Sequence, residues 1–389
     1  MMERLEKNGN SSFSLLGGPL YRVGCYTGLI RSGTDSVPLG VAIGVFFWLG
    51  LVAVTLVQGV TDQLFTFSLV GDHVRLLVVI PLLFLFESML NPRCADFVNY
   101  LVRSKIIPEG ALPALEAAII RTRRGVDSWL PEAVFLLSAI IFSLLHLATP
   151  LLGVSTNNDP NVSVHITQAG DWYWIVSMSL FRFLVLRCLW QLGLWVYFLW
   201  RLSRLPLHLI PTHPDGFAGL GYLEVVHVNF LPLVIAISSV QCSAFAEVFI
   251  GGEMAFEAVY GVFLVILLID AFLFIGPLFL FSPKLWDCKV QGLNEYMDFA
   301  AHYVEDFEKK WIDSKGVSDE PLLGTADLQS LADLGNSVDV IREMGWVPVS
   351  KRLLLSFTGA ALLPLLPLAL FKYSSYELMI NMFEGLFGL

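Results

Sequence analysis

Long uninterrupted blocks of apolar residues constrain this chain more than any other feature of its sequence. Only 15% of its 389 residues are charged, whereas soluble proteins carry about 25%. The apolar residues gather into runs long enough to cross a hydrocarbon core about 30 Å thick as helices. They lack the alternation that is typical of an outer-membrane barrel. The predicted fold class is therefore all-α, a polytopic bundle of transmembrane helices.

Seven spans are expected, with a soluble insert between the sixth and the seventh. Residues 1–36 form a lead-in, of which residues 13–30 are weakly apolar and are expected on the membrane surface. Spans 1 to 6 occupy residues 37–281, and the insert covers 282–352. Span 7 and the C-terminal tail fill residues 353–389. The sequence thus predicts one membrane domain that carries one helical insert.

The distribution of Lys and Arg predicts how the chain is oriented. All but four of its 24 basic residues lie in the lead-in, the second and fourth loops, or the insert. Positively charged loops stay on the cytosolic side of a membrane, so the N-terminus and the insert are predicted to be cytosolic. The expected location is the cell inner membrane, and the expected partner of the helices is the lipid bilayer.

Several polar residues lie inside the predicted spans, where a charge is costly and is by default a functional-site hypothesis. They form the predicted intramembrane polar path: Arg182, Arg187, Gln241, Glu247, Asp270 and His146. At about 1.5 Å per helical residue, Arg182, Gln241 and Asp270 fall near the middle of the bilayer. His146 and Glu247 fall toward the outer side.

Arg187 falls nearer the cytosol than the middle layer, at the level of Glu87 and Glu132. Two interpretations of these layers stay open. They are a permeation or proton path, or they are structural pairs that hold the helices together, at about 0.6 kcal/mol each on average. Under either interpretation Arg182 and Asp270 are expected to meet.

A segment rich in proline, glycine and histidine, residues 205–221, joins two of the apolar runs and is called the elbow below. It contains His208, His213 and Asp215. These side chains could supply metal ligands or an acid–base pair, and Arg201 and Arg204 with His208 could hold a lipid phosphate. The alternative is a rigid turn between helices, because Pro and Gly clusters are mostly turn punctuation.

The insert predicts two helices. Apolar residues recur at alternating spacings of four and three along the first helix, which is the pattern of one face of a coiled coil: Trp286, Val290, Leu293, Met297, Ala300, Val304, Phe307 and Trp311. The insert is interpreted as an antiparallel helical hairpin, with an oligomerisation stalk as the alternative. Its 13 acidic residues outnumber its 8 basic ones, which disfavours an anionic partner.

Other classes of function find little support in the sequence. The five cysteines are scattered without a CxxC pair, so neither a zinc site nor a disulfide framework is indicated. No cofactor is expected, and metal binding is left open. The net charge of −10 argues against nucleic acid as a partner. An enzyme is less expected than a non-enzyme, because no GxSxG, HExxH or P-loop motif occurs.

Two stretches resemble segments of an uncharacterised family of bacterial multi-pass inner-membrane proteins. They are HPDGFAGLG, which begins at His213, and LGTADLQSLADLGN, which begins at Leu323. The resemblance covers most of the chain after residue 170. It implies a bacterial inner-membrane location and gives weight to these two segments as working parts, but it implies no substrate or reaction.

Three functions follow as expectations. The first is a channel or transporter for a small solute or ion of unidentified kind, because of the polar residues within the spans. The second is a membrane-anchored signalling or assembly protein that uses the insert, with homo-oligomers among the expected forms. The third is a membrane-surface enzyme that acts at the His and Asp residues of the elbow.

The predicted orientation is testable by labelling single cysteines in intact cells. A cysteine introduced as Asn158→Cys lies in a loop predicted outside and should react with an impermeant maleimide. One introduced as Ser318→Cys lies in the insert and should not react until the cells are opened. The unsubstituted chain gives the background of its native thiols. Equal labelling of both positions from outside would overturn the seven-span arrangement.

Overall fold

The architecture comes from a computed structural model that describes residues 13–30, 35–59, 64, 69–148, 168–250, 256–313 and 326–368. Every regular element within these ranges is helical, as expected. The main helices are α1 Gly18–Tyr26, α2 Val37–Val57, α3 Val70–Arg103, α4 Leu112–Asp127, α5 Trp129–Ala148, α6 Gln168–Ser203, α7 Tyr222–Val228, α8 Leu231–Ile250, α9 Phe256–Phe274, α10 Ser282–Glu308, α11 Ala326–Glu343 and α12 Lys351–Leu362.

The helices are long and apolar enough for a membrane protein. Five stretches of the described chain qualify as spans: α2, α3, most of α6, the pair α7 and α8, and α12 with the 3-10 turn after it. Two bent pairs bring the number to as many as seven. These are α4 with α5, which bend by 40°, and α9 with the helix that follows it, which bend by 44°. The expected seven spans are the upper end of this range.

Two glycines spaced by four residues bring α2 close to α3. A Cβ at Gly44 would lie 2.3 Å from the carbonyl oxygen of Leu76, and one at Gly40 would lie 2.6 Å from the Phe84 ring. Small residues at this spacing let two membrane helices approach closely. α3 widens into a π-helical turn over Val74–Val79, which includes the point of closest approach. This contact was not predicted, although the spacing of the two glycines is visible in the sequence.

A chain of aromatic rings runs through the core of the bundle. It links the N-terminal segment to α6 and α7, then to α8, α9 and α12, with successive ring centroids 4.4 to 6.2 Å apart. The rings belong to Phe13, Phe198, Trp195, His227, Phe230, Phe274 and Phe357. Tilted and stacked pairs in this distance range are favourable beyond the area they bury. These rings tie early and late parts of the sequence into one core.

The N-terminal segment is part of this core and not a membrane-surface helix. Phe13, Leu15 and Ile30 are almost fully buried. The backbone N–H of Leu15 donates to Oδ1 of Asn91 at 2.9 Å. The expected position on the membrane surface was wrong, because a weakly apolar segment has the same composition whether it contacts lipid or fills a groove between helices.

Helices α10 and α11 form the antiparallel hairpin that the sequence predicts. At one end Lys289 of α10 donates to the backbone carbonyl oxygens of Arg342 and Met344, at and just after the end of α11, at 2.7 Å each. At the far end Asp327 accepts hydrogen bonds from Lys310 at 2.8 Å and Trp311 at 3.2 Å. These two donors hold the pKa of the Asp327 carboxyl below its ordinary value. The hairpin is therefore fastened at both ends.

Half of the apolar stripe predicted on α10 has no helix packed over it within the described chain. Trp286, Val290, Met297 and Val304 are 54%, 40%, 50% and 38% exposed. These four residues are called the α10 seam below. The hairpin buries the neighbouring face of α10 instead, because Lys289 and Tyr303 reach across to backbone carbonyls near the two ends of α11.

Candidate functional site

Arg187 lies at the centre of a buried ionic cluster between three helices. Its guanidinium pairs with Glu87 of α3, and its Nε donates to Oε1 of Glu132 of α5 at 3.1 Å. Gln191, one turn further along α6, hydrogen-bonds to the Glu87 carboxylate. The side chains of Arg187 and Glu87 are 4% and 2% exposed. The cluster therefore fixes how α3, α5 and α6 are rotated relative to one another.

Glu132 also binds the N-terminal segment to the cluster. Its Oε2 accepts the backbone N–H of Leu20 at 3.1 Å, at the start of α1. A carboxylate is favoured there because the first N–H groups of a helix are unsatisfied and partly positive. Gly18 has φ +84°, and a Cβ at this position would lie 2.2 Å from Oε1 of Glu132. Only glycine leaves room for the carboxylate at this turn.

The composition and size of the cluster limit its chemistry. It holds two carboxyl groups against one guanidinium, so complete neutrality requires one proton. The cavity that adjoins Arg187 and Glu132 measures only about 10 Å³, which is at most the space of one water molecule. It has no room for a solute in this conformation.

Arg182 does not reach Asp270, contrary to the expected midplane pair. Its Nη1 donates to the hydroxyl of Ser143 on α5 at 2.8 Å, and its guanidinium lies 5.8 Å from the ring centre of Trp174. Asp270 is buried on α9, without an ion pair or hydrogen bond among the described residues. The two residues were expected at one depth, but they face different neighbours: Arg182 contacts Ser143 of α5, whereas α9 packs near α8 and α12.

The other residues of the predicted path lie apart from these two. Gln241 lines an apolar cavity between α3, α6 and α8. Glu247 is exposed near the end of α8, where it accepts the backbone N–H of Gly71 near the ion pair of Asp72 and Arg75. His146 lies in α5, but its side chain is outside the described residues. A continuous path through all six residues stays a prediction.

The elbow is built around the Asp215 carboxylate. Its Oδ1 accepts the backbone N–H groups of Phe217 at 2.9 Å and Gly219 at 3.1 Å, and its Oδ2 accepts that of Gly221 at 2.8 Å. A Cβ at Gly221 would lie 2.9 Å from Asp215, so the close approach requires glycine. An aspartate that closes a loop in this way is typical of a turn. The geometry favours the rigid-turn interpretation.

Of the three predicted elbow residues, the structure brings two together. Nδ1 of His213 lies 2.8 Å from Oδ1 of Asp215, a hydrogen-bond distance. His208 is exposed and lines a separate groove of about 480 Å³ with α10, together with Lys284 and Glu295. Among the described residues, no group of three or more His, Cys, Asp or Glu side chains could hold a metal ion.

No protein-family model, curated protein or solved structure matches this sequence. The class of protein therefore rests on its own helices, which are those of a helical membrane protein. Sequence reasoning placed Arg187, Glu87 and Glu132 at one depth but missed Ser143 as the partner of Arg182. It also missed Gly18, whose signal was the consecutive glycines before Pro19.

The ionic cluster predicts a large effect for loss of its cation. Arg187→Gln should lower the free energy of unfolding by about 3–5 kcal/mol, because it leaves two buried carboxyl groups without their charge partner. Arg182→Gln is the matched control and should cost less, since it loses contacts only to Ser143 and Trp174. The measurement is thermal or denaturant unfolding in one detergent.

A double variant sharpens this test. Arg187→Gln combined with Glu87→Gln should cost less than the sum of the two single changes, because the surviving partner is then neutral. Additive costs, or an Arg182→Gln variant as unstable as Arg187→Gln, would contradict the central position of Arg187.

The elbow predicts that Asp215 is needed for folding. Asp215→Ala should cost about 3 kcal/mol, because three backbone N–H groups lose a charged acceptor. Asp215→Asn keeps one carbonyl acceptor and should cost less. His213→Ala serves as control and should lower the melting temperature least, since it removes one contact to the same carboxylate and one long hydrogen bond, 3.3 Å, from the backbone N–H of Asp215. A stable Asp215→Ala variant would contradict the rigid-turn interpretation and favour a functional site at the elbow.

Proposed function

We propose that this chain is a membrane-anchored assembly protein that associates with a second copy of itself through the α10 seam. The observation that carries the proposal is the exposure of Trp286, Val290, Met297 and Val304 along one stripe of α10, beside the face that packs against α11. Large exposed apolar patches on folded proteins mark interaction surfaces.

The spacing of the seam favours another helix as its occupant. Val290, Met297 and Val304 recur every seven residues, which is the period that keeps one face of a helix against a helical partner over its whole length. A membrane surface is less favourable. The insert carries more acidic than basic residues, and anionic lipids repel such a surface.

Charge selects the relative direction of the two helices. An antiparallel pair that sets Met297 opposite Ala300 brings Asp287 of one copy near Glu308 of the other, which is unfavourable. A parallel pair avoids this contact. In a parallel pair, a residue that flanks the seam on one helix lies near the residue five positions away in number on the other helix, so Asp287 and Glu308 stay apart. Two copies in one membrane, related by a two-fold axis along the membrane normal, present their α10 helices in this parallel sense.

The expectation of a channel or transporter receives less support from the same contacts. Arg182 is bound to Ser143, and the cavity beside Arg187 has the volume of about one water molecule. Transport therefore stays a prediction, and the contacts of these two arginines do not support it. The enzyme alternative is weakened in the same way, because the Asp215 carboxylate is engaged by three backbone N–H groups.

The proposal is supported further by where the hairpin attaches. The elbow packs against the end of the hairpin where α10 begins and α11 finishes: Pro211 lies close to Gly292, and the backbone N–H of Gly345 donates to the carbonyl oxygen of Gly216 at 2.9 Å. A hairpin fixed in this way holds the seam in one orientation relative to the membrane bundle. Under the predicted orientation, the seam faces the cytosol.

A photo-crosslinking amino acid tests the seam in native membranes. Placed at Met297, it should give a product of twice the 43.3 kDa chain mass. Placed at His302, which is exposed on the opposite side of α10, it should give at least about five-fold less, since a seven-residue seam buries one face only. The double change Val290→Asp and Val304→Asp should abolish the product from Met297, because it buries unpaired charges.

Two outcomes would overturn the proposal. One is equal dimer yield from positions 297 and 302, which would indicate random collision. The other is a lipid adduct at position 297 without a dimer, which would mean that the seam lies on the membrane.

A further inference from the structure

A cavity of about 250 Å³ lies between α3, α6 and α8, and its lining includes no residue of the ionic cluster or the hairpin. Nine of the ten residues that line it are apolar, among them Leu83, Phe181, Val185 and Ala236. Leu189, also in the lining, is 38% exposed, so the cavity reaches the outer surface of the bundle. At about 30 Å³ per water-sized unit, it has room for roughly eight to ten heavy atoms.

Gln241 is the one polar residue in this described lining, and its side chain is not anchored. Its Oε1 is buried and accepts no hydrogen bond. A buried amide oxygen without a partner costs about 1–3 kcal/mol. Rotation of the amide toward the cavity therefore breaks no hydrogen bond at Oε1, and a donor placed there would remove the penalty.

Water does not suit this position well. A buried water needs two to four polar partners, and apolar cavities of similar size stay dry. The walls of this cavity offer the Gln241 amide and otherwise only hydrocarbon. The occupant that satisfies both features has an apolar body and one hydrogen-bond donor.

We propose that the cavity binds a membrane-soluble aliphatic alcohol, whose hydroxyl donates to Oε1 of Gln241 and whose alkyl chain fills the space between α6 and α8. The opening at Leu189 lets such a molecule enter from the bilayer. The site is a binding site for a lipid-soluble ligand, and it is separate from the α10 seam.

The test uses the full chain in nanodiscs with two photoactivatable probes, an alcohol of about eight to ten heavy atoms and an alkane of equal length that lacks the hydroxyl. The alcohol should label peptides of α6 and α8 about three- to fifteen-fold more than the alkane, the range that one intramembrane hydrogen bond supplies. Gln241→Leu has nearly the same volume and should remove this preference while leaving labelling by the alkane.

A second pair of variants tests the cavity itself. Ala236→Phe should fill it and lower labelling by both probes, whereas Leu264→Phe, at a residue on the outer surface of α9, should change neither. Equal labelling by the two probes in the unchanged chain would overturn the proposal. A preference for the alcohol that survives Gln241→Leu would overturn it as well.

Discussion

The buried pairing of Arg187 with Glu87 and Glu132 is the interaction on which the rest of the bundle depends. An isolated charge within an apolar helix is so unfavourable that its partners must be in place before the helices can pack. Arg187 thereby selects one rotation of α3 and one of α5 around α6. Through Glu132 it also fixes the N-terminal segment, because Leu20 donates to the second oxygen of the same carboxylate. One guanidinium thus determines the arrangement of four segments.

The sequence predicted the helical class, the hairpin and the shared depth of Arg187 with Glu87 and Glu132. Hydropathy and helical rise are properties of single segments, so they can be read without knowing the neighbours. Depth calculated from the helical rise did not identify the partner of Arg182, because depth does not tell which way a side chain points around the helix. Ser143 and Asp270 were both within reach in depth, and only the packing of α5 against α6 decides between them.

Other features were beyond the sequence because they arise where distant segments meet. Asp215 looked like half of an acid–base pair, but its oxygens are engaged by backbone N–H groups within the next six residues. The seam on α10 was visible as a repeat, yet its exposure follows from where α11 packs. The repeat and the exposure together favour assembly, whereas the repeat alone favoured a hairpin closed on itself.

The aromatic chain from Phe13 to Phe357 has a consequence for how the protein is made. Phe13 leaves the ribosome early, but its partner Phe198 and the buried Trp195 emerge only after several helices have entered the membrane. The far end of the chain needs Phe357 of the last described span. Until α6 has been synthesised, Phe13 lacks both of these partners. A product truncated before α6 therefore exposes Phe13, and exposed apolar surface of this kind makes incomplete chains prone to aggregate.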